Sequence, residues 1–530
     1  MRSTSSQETF RSEKHPYLPS PSSAYIPLVP SVLPQDDSAR AYAAFLKTFP
    51  EYQSTWLLDT LRRTDFERLD RAGETYVDYM GGAQHPDSLV RVHGSFLAQN
   101  IMGNTHSISN RQSSPRLRLG LSTKCADEAR EAVLSFFNAP QGYTVIFTAN
   151  ATGALKLVGE AYPFKNLSAF VLGADSHNSV HGIREFAARR GAQVHYIPST
   201  STGGFVPSTA KDILRRHRPT SHPSLFALTG QSNISNAKNP LSILNYATSL
   251  GYHTLLDAAA LAPTSAISLS DTPVDAMAVS FYKMFGYPTG VGALVVKESF
   301  LELLERPWFA GGTVDVVQVP GAIVTRSPKL HERFEDGTLN YLTLSAVTDG
   351  LHFLSAYLPF LPLRLSCLTH YLTSSLSGLR HDSTGMPVVK ILSRLPSKKV
   401  KSIGKEAETG STVSLVFLSP SGDIIPNSFV EHVAFSRNIS LRTGCMCNPG
   451  GAAALLGIED QMAILYPGVT LKDFQCAVGR ELGVVRISFG LASNFHDVWK
   501  VTEFASMFAN ERTRQSLWDS WIDVPIGQAV

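Results

Sequence analysis

The chain has 530 residues, of which 43% are hydrophobic and 17% are charged, and its formal net charge is +3. This composition is typical of a soluble globular protein of two or three domains. The weak net charge and the lack of a basic stripe or a long apolar run predict no nucleic-acid or membrane partner. Five cysteines, an odd number in a large chain, favour free thiols in a reducing compartment, so we expect a cytoplasmic protein.

Five segments with different patterns predict the domain organisation. Residues 1–40 are rich in Ser and Pro and lack periodicity and the apolar core of a secretory signal, so we expect a disordered tail. Residues 41–85 begin with helical spacing of apolar positions and are expected to join the small domain. Residues 86–345 are expected to form a large domain, 346–515 a smaller domain, and 516–530 a polar tail.

Short apolar runs separated by helical stretches dominate the middle of the chain. They lie at residues 143–147, 169–172, 193–197, 225–228, 254–256, 275–279 and 291–296. Because their apolar residues do not alternate with polar ones, these runs are typical of strands buried on both faces of a mostly parallel sheet. We therefore predict an α/β fold, in which ligands bind beyond the carboxyl ends of the strands.

A lysine and an aspartate follow two of these predicted strands. Lys283 comes after the run at 275–279, and Asp257 comes after the run at 254–256. A buried lysine is costly unless its amine is used, and the best-known use is covalent capture of an aldehyde cofactor. Pyridoxal phosphate also needs a carboxylate that keeps its pyridine nitrogen protonated. These two residues alone leave two alternatives open, pyridoxal phosphate or a buried ion pair without a cofactor.

Polar residues also follow other predicted strands. His177 follows the run at 169–172, Asn233 follows the run at 225–228, and small residues with the hydroxyl of Thr152 open a helix after the first run. Each has an ordinary interpretation, as a core or surface histidine, a turn residue and a capped helix start. Their joint occurrence at one edge of the sheet favours a ring-binding site with a phosphate at the helix start.

Nine motifs resemble those of one enzyme family, in the same order, over residues 45–510 or so. They are GNTHS (103–107), FTANATGALK (147–156), DSHNSV (175–180), QSN (231–233), LDAA (256–259), SFYKMFGYPTG (280–290), FEDGT (334–338), RTGCMCNPG (442–450) and VRISFG (485–490). The chain thus resembles the class V, fold type I pyridoxal-phosphate enzymes, and within them the cysteine desulfurase-like domain of the molybdenum cofactor sulfurases. The resemblance implies a mostly parallel seven-stranded sheet in the large domain and a smaller α+β domain.

The resemblance also implies roles for individual residues. Lys283 would hold the cofactor and shuttle protons, Asp257 would pair with the pyridine nitrogen, and His177 would stack on the ring. Further cofactor contacts are implied for Ala151, Thr152, Asn233, Ser280 and Tyr282, and for Thr338 through the neighbouring subunit of a homodimer. Asn233 would contact the phenolic oxygen of the ring. Substrate contacts are implied for Asn104, His106 and Arg486, with the arginine holding the substrate carboxylate.

The cysteine motif distinguishes a desulfurase from a plain aminotransferase. Its Arg-x-Gly-x-x-Cys spacing implies Cys447 as the nucleophile, and the surrounding glycines predict the mobile, partly exposed loop that such a thiol needs. A metal site is disfavoured, because Cys445 and Cys447 lack two further ligands at suitable spacing. The family's Asp-His-Ala-Gly reads Asp-Tyr-Met-Gly at 78–81, and its third cysteine is replaced by the small residues 451–454, so we expect an altered substrate mouth.

The function that the resemblance implies is desulfuration of L-cysteine, with a persulfide on Cys447, alanine as product and a protein or small molecule as sulfur acceptor. An alternative is a pyridoxal-phosphate C–S lyase or a decarboxylating carbon–carbon bond-forming enzyme of a specialised pathway. A sulfur-acceptor scaffold without catalysis is a third class, which Lys283, Asp257 and His177 disfavour. Because only a polar helical tail follows Phe508, we expect no sulfuration of a molybdenum cofactor within the same chain.

Overall fold

The computed structural model of the chain describes residues 35–105 and 120–522. Within these ranges the strands are β1 (Thr75–Tyr76), β2 (Tyr143–Thr148), β3 (Ala169–Gly173), β4 (Gln193–Ile197), β5 (Leu225–Thr229), β6 (His253–Asp257), β7 (Ala276–Ser280), β8 (Gly292–Lys297), β9 (Val314–Val317), β10 (Val324–Arg326), β11 (Val389–Ile391), β12 (Thr412–Phe417), β13 (Ile439–Ser440), β14 (Arg442–Gly444) and β15 (Val484–Ser488). The α-helices are α1 (Gln35–Thr48), α2 (Trp56–Asp65), α3 (Glu67–Arg71), α4 (Asp87–Gln99), α5 (Leu121–Phe136), α6 (Ala151–Ala161), α7 (Asn178–His181), α8 (Ile183–Arg189), α9 (Pro207–Arg216), α10 (Ser242–Ser249), α11 (Phe281–Phe285), α12 (Glu298–Leu303), α13 (Leu344–Tyr357), α14 (Leu361–Gly378), α15 (Asn427–Ser436), α16 (Pro449–Leu456), α17 (Glu459–Met462), α18 (Leu471–Val478), α19 (Phe495–Ser506) and α20 (Glu511–Ile522). Short 3₁₀ helices lie at Pro50–Thr55, His331–Phe334 and Leu358–Phe360.

The sheet of the large domain has seven strands in the order β2-β8-β7-β6-β5-β3-β4. Neighbouring strands from β7 to β4 are parallel, whereas β8 runs antiparallel to both β2 and β7. All seven predicted runs are strands of this sheet, so the predicted α/β fold with a mostly parallel sheet is confirmed. Because β3, β5, β6 and β7 are parallel, the residues that follow them lie at one edge of the sheet.

Helices cover both faces of this sheet, which explains why its strands lack alternation. Successive residues of β6 show this directly, since Leu255 and Leu256 belong to two different apolar clusters on opposite faces. Helices α6 and α8 bury Val158 and Ile183 on one face, while α5, α10 and α13 cover the other. A strand therefore needs apolar residues at every position, because alternate side chains pack against the helices on opposite faces of the sheet.

The small domain is built on an antiparallel sheet with the order β11-β12-β15-β14. The N-terminal segment contacts the strands of this domain, because β1 pairs with β13 in parallel and Asp78 forms a single parallel bridge with Ser488 of β15. Helix α1 packs on α19 of the same domain. These contacts bring Asp78 to the strand that carries Arg486.

Both predicted tails overlap with regular structure. Helix α1 begins at Gln35, so 35–40 are helical rather than disordered, and α20 continues to Ile522 within the predicted polar helical tail. The rings of Trp518 and Trp521 lie 4.9 and 5.4 Å from the ring of Phe429 on α15. This aromatic contact holds α20 against the small domain, although its overall composition is polar. The remaining domain boundaries stay predictions.

One stretch of the described residues, Leu344–Gly378, is long and apolar enough to cross a membrane by length and composition. Asp349 and Arg364 interrupt this stretch, so it is not an uninterrupted apolar run. The stretch is divided by the 3₁₀ helix at Leu358–Phe360, and 56% of its most apolar window is buried inside the fold. Core helices of soluble proteins pass the same test, so this is weak evidence for a membrane.

Candidate active site

A cavity lies at the carboxyl ends of the parallel strands, where the sequence predicts the site. Its lining includes eight of the predicted residues, namely Ala151, Thr152, His177, Asn233, Asp257, Ser280, Tyr282 and Lys283. They come from the ends of β3, β5, β6 and β7 and from the start of α6. The parallel order of the sheet is what brings together residues so distant in the chain.

Lys283 lies on the one-turn helix α11, directly after the fully buried strand β7. Gly286 ends this turn with φ +80°, and a Cβ there would lie 2.5 Å from the backbone of Gln84 and His85. Only glycine fits this close approach of the N-terminal segment. The turn therefore fixes the direction in which Lys283 enters the cavity.

Burial of Lys283 favours its neutral amine. Burial lowers the pKa of Lys283 from its ordinary value, because the ammonium loses its hydration. The carboxylates of Asp257 and Asp78 oppose this shift, whereas Arg486 and Arg442 lower the pKa further. A neutral amine is the form that reacts with an aldehyde or removes a proton.

His177 follows β3 and Asp257 ends β6, two strands that lie on either side of β5. The backbone N–H of Ser179 donates to Nδ1 of His177 (3.1 Å), so this nitrogen is unprotonated and the ring proton lies on Nε2. Burial lowers the pKa of His177, which favours the same neutral ring. The Asp257 carboxylate is buried and accepts a hydrogen bond from the Ala259 N–H (3.1 Å).

The start of α6 forms an anion-binding arrangement at one end of the cavity. The Ala151 N–H donates to Oγ of Ser280 (2.8 Å), and the hydroxyls of Thr152 and Ser179 lie 2.8 Å apart. Gly292 on β8 allows this close packing, since a Cβ there would lie 2.6 Å from Asn150 Cα. Hydroxyls and a helix N-terminus together suit a phosphate group.

Two amides lie beyond the end of β5, and only one was singled out from the sequence. Asn233 donates to the Met446 carbonyl oxygen (2.7 Å) and accepts from Asn448 (3.0 Å), so its amide is engaged by the cysteine loop. Its contact with a ring oxygen stays a prediction. Gln231 is buried in the cavity wall, and neither atom of its amide has a hydrogen-bond partner among the described residues. The signal that could have identified it is its position at the same strand exit as Asn233.

The two neighbouring cysteines differ in exposure. Cys447 is exposed, whereas Cys445 is half-buried against an apolar cluster that includes Met446. Burial raises the pKa of Cys445, and the adjacent Cys447 adds to this effect. Both Met446 and Cys447 have positive φ (55° and 53°), which is uncommon for residues with a Cβ. The loop thus turns its second thiol, not its first, towards solvent.

The cysteine loop is fastened to the large domain. The Asn178 N–H donates to the Cys447 carbonyl oxygen (2.7 Å), one residue after His177. A Cβ on Gly450 would lie 2.2 Å from the Ala174 carbonyl oxygen, and one on Gly451 would lie 2.5 Å from Asp175 Oδ1. These glycines therefore allow close packing, and the expectation that they serve a mobile loop needs correction.

Arg486 lies behind Asn233 in the interior of the protein. Its Nη1 donates to the Asn233 carbonyl oxygen (3.0 Å), and its Nη2 donates to Oδ1 of Asp78 (2.5 Å). Its side chain is 2% exposed, and burial lowers its pKa. Within the described part of the chain its Nε has no hydrogen-bond partner.

Of the predicted residues that the structure describes, Asn104, Thr338, Arg486 and Cys447 do not line this cavity. Asn104 Nδ2 donates to Thr338 Oγ1 (3.3 Å), and Thr338 lines a neighbouring cavity of about 370 Å³ with Lys156 and Asp336. Neither Asn104 nor Thr338 is among the described residues that line the Lys283 cavity. His106 lies outside the described residues.

The donors and acceptors in the Lys283 cavity fit pyridoxal phosphate. The Lys283 amine, the buried Asp257 carboxylate and the His177 imidazole lie together at the position for a ring, and the start of α6 lies at the position for a phosphate. The amide of Gln231, which has no partner among the described residues, offers one more polar contact to a bound ring. Lys283, Asp257, His177, Ser280 and Thr152 are the residues that would hold the cofactor.

Comparison with known proteins identifies the family. The sequence profile of the family "Aminotransferase class-V" matches residues 75–501, which is most of the chain. The structure of a cysteine desulfurase from Thermococcus onnurineus NA1 superposes with a TM-score of 0.65 at 21% identity, covering 85% of this chain and 98% of that one. A cysteine desulfurase from Escherichia coli superposes with a TM-score of 0.63 at 19% identity, covering 87% and 98%. Fold and site thus define a fold type I pyridoxal-phosphate enzyme.

The chain belongs to the class V aminotransferase family, and its cofactor is pyridoxal phosphate. Among curated relatives it is 32% identical to the molybdenum cofactor sulfurase of Solanum lycopersicum over 91% of this chain, and 33% identical to that of Bos taurus over 84%. The chain spans 62% and 51% of the length of these two relatives. The resemblance found in the sequence motifs is therefore confirmed.

Proposed function

We propose that the chain is a cysteine desulfurase, which takes the sulfur of L-cysteine as a persulfide on Cys447 and releases alanine. The observation that carries the proposal is the attachment of the Cys447 loop next to His177, at the wall of the Lys283 cavity. An exposed thiol beside that cavity is suited to attack the sulfur of an amino acid held inside it.

Each residue has a separate task in the proposed reaction. Bound pyridoxal phosphate supplies the electron sink that makes the Cα–H bond of the amino acid acidic. Lys283 removes this proton, because burial favours its neutral amine, and Arg486 holds the carboxylate. The Cys447 thiolate forms a bond to the substrate sulfur as the Cβ–S bond breaks. The electron pair stays with the carbon skeleton, which takes up a proton at Cβ, regains one at Cα from Lys283 and leaves as alanine.

The test is incubation of the purified protein with L-cysteine and parallel measurement of alanine, pyruvate, sulfide and protein persulfide. We expect alanine in equal amount to a persulfide on Cys447 during the first turnover. Cys447→Ser is the matched control, which should form neither. Pyruvate and sulfide without a persulfide would overturn the proposal and indicate the alternative, a C–S lyase.

We also propose that the protein is a cytoplasmic homodimer that passes sulfur to a separate acceptor. The pairing of Thr338 with Asn104 outside the Lys283 cavity supports a contact with the neighbouring subunit. Trp308, Val319 and Ile323 are exposed on and near the β9–β10 hairpin, where a second copy would cover them. Sedimentation of the protein tests this assembly, and a fully active monomer would contradict it.

A further inference from the structure

Two arginines face each other at the substrate end of the site. Arg442 on β14 and Arg486 on β15 are direct partners in the antiparallel register of the small sheet. Side chains in such positions lie on the same face with their Cβ atoms about 5 Å apart, and like charges there repel each other. Arg486 is buried, so water screens little of this repulsion. A counter-ion between the two guanidinium groups is therefore required.

Asp78 supplies that counter-ion from the N-terminal segment. Its Oδ1 accepts from Nη2 of Arg486 (2.5 Å), and its Oδ2 accepts from Nε of Arg442 (2.9 Å). The bridge to Ser488 fixes its backbone beside β15, and its carbonyl oxygen accepts from the Gly81 N–H (2.9 Å). Gly81 leaves space for the Asp78 carboxylate between the two arginines, since a Cβ there would lie 2.3 Å from Asp78 Oδ2.

This arrangement sets the charge that a substrate meets. Two guanidinium groups and one carboxylate leave one net positive charge, and Asp78 already uses part of the donor set of Arg486. Arg442 is half-exposed, and its charge, like that of Arg486, lowers the pKa of Lys283, so both arginines lie close enough to act on the site. A single positive charge matches an amino acid that has one carboxylate. A second anionic group on the substrate would be repelled by the Asp78 carboxylate, and the two arginines would have no further positive charge to pair with it.

We propose that Asp78 is a specificity-determining residue, whose carboxylate restricts the site to amino acids with an uncharged side chain. This inference rests on the proposed function, because it assumes that Arg486 receives the substrate carboxylate. Asp78 acts through the two arginines and is a positioning residue rather than a group that reacts. Without it, the arginine pair would form a site for two negative charges.

The test compares L-asparagine and L-aspartate, which have nearly the same shape and differ by one charge. Binding of each to the cofactor-loaded protein is measured by calorimetry, without turnover. The wild type should bind asparagine more tightly than aspartate. In Asp78→Asn the ratio of the two binding constants, aspartate to asparagine, should rise by about tenfold or more, the scale of one charged hydrogen bond.

Two further variants separate charge from structure. Asp78→Glu should keep the wild-type ratio, and the double variant Asp78→Asn with Arg442→Gln should return to it, because one positive charge is again present. Arg442→Gln alone should shift the ratio the other way, towards asparagine, which tests the idea even if Asp78→Asn does not fold. Circular dichroism and the absorption of bound cofactor verify that each variant is folded.

The outcomes are distinguishable from those of the desulfurase proposal. An unchanged ratio in folded Asp78→Asn, or no return in the double variant, would overturn the role of Asp78. Pyruvate instead of persulfide in the wild type would overturn the desulfurase proposal and leave the binding ratios untouched.

A Gly81→Ala variant should also shift the ratio towards aspartate, since its Cβ would displace the Asp78 carboxylate.

Discussion

The contact of Gly450 with the large domain predicts a variant that separates sulfur transfer from cofactor binding. In Gly450→Ala the new Cβ would lie 2.2 Å from the Ala174 carbonyl oxygen and 2.9 Å from its carbon. Both atoms belong to backbone, so the cysteine loop has to move by about 1 Å to reach ordinary van der Waals distance. We expect a stability loss of about 1–3 kcal/mol, as for other overpacked contacts.

The effect on the reaction should be larger than the effect on stability. A displacement of about 1 Å at a reacting group can reduce its rate by about a hundredfold, so persulfide formation on Cys447 should fall on this scale. Lys283 and Asp257 lie on other elements, so cofactor content and absorption should stay at wild-type values. Single-turnover reactions with L-cysteine, followed by mass spectrometry of Cys447, measure the rate.

Gly94→Ala is the matched control for this experiment. Gly94 lies inside α4, and a Cβ there would meet nothing within 4 Å, so this variant should be as active as the wild type. Alanine inside a helix should even stabilise the protein, by about 0.5–1 kcal/mol. A folded Gly450→Ala protein with a wild-type rate of persulfide formation would refute the argument that this contact positions the loop.

The other predictions concern the predicted site residues. Lys283→Ala should fold but should no longer fix the cofactor covalently on borohydride reduction; phosphopyridoxyl label on a different lysine of the wild type would contradict this. Cys447→Ser should lose persulfide formation and still bind cysteine. Cys445→Ser should keep most activity, because the wild-type Cys445 thiol is half-buried and has a raised pKa. A persulfide found on Cys445 would reverse the assignment. Arg486→Lys should weaken cysteine binding by about 1–3 kcal/mol with unchanged cofactor content, since lysine lacks the planar fork; normal binding would point to a substrate without a free carboxylate.

Local patterns in the sequence determined the sheet and the cofactor end of the site. Strands buried on both faces must be apolar at every position, so their ends could be located to within a residue or so, and Lys283 and Asp257 with them. Parallel order then brings the residues that follow these strands to one edge. For this reason eight of the residues that line the Lys283 cavity were predictable, whereas others, Gln231 among them, were not.

Only the tertiary structure decided what happens at the substrate end. Nothing local predicts that Arg442 and Arg486 face each other, that Asp78 binds Arg486 from 408 residues away, or that Gly450 touches Ala174. The glycines of the cysteine motif suggested mobility, but the folded protein uses two of them for contact with the large domain. The physical reason is that strand register and close approach between distant segments depend on how two segments pack against each other. The spacing of apolar residues in a sequence indicates only which residues of a single segment are buried.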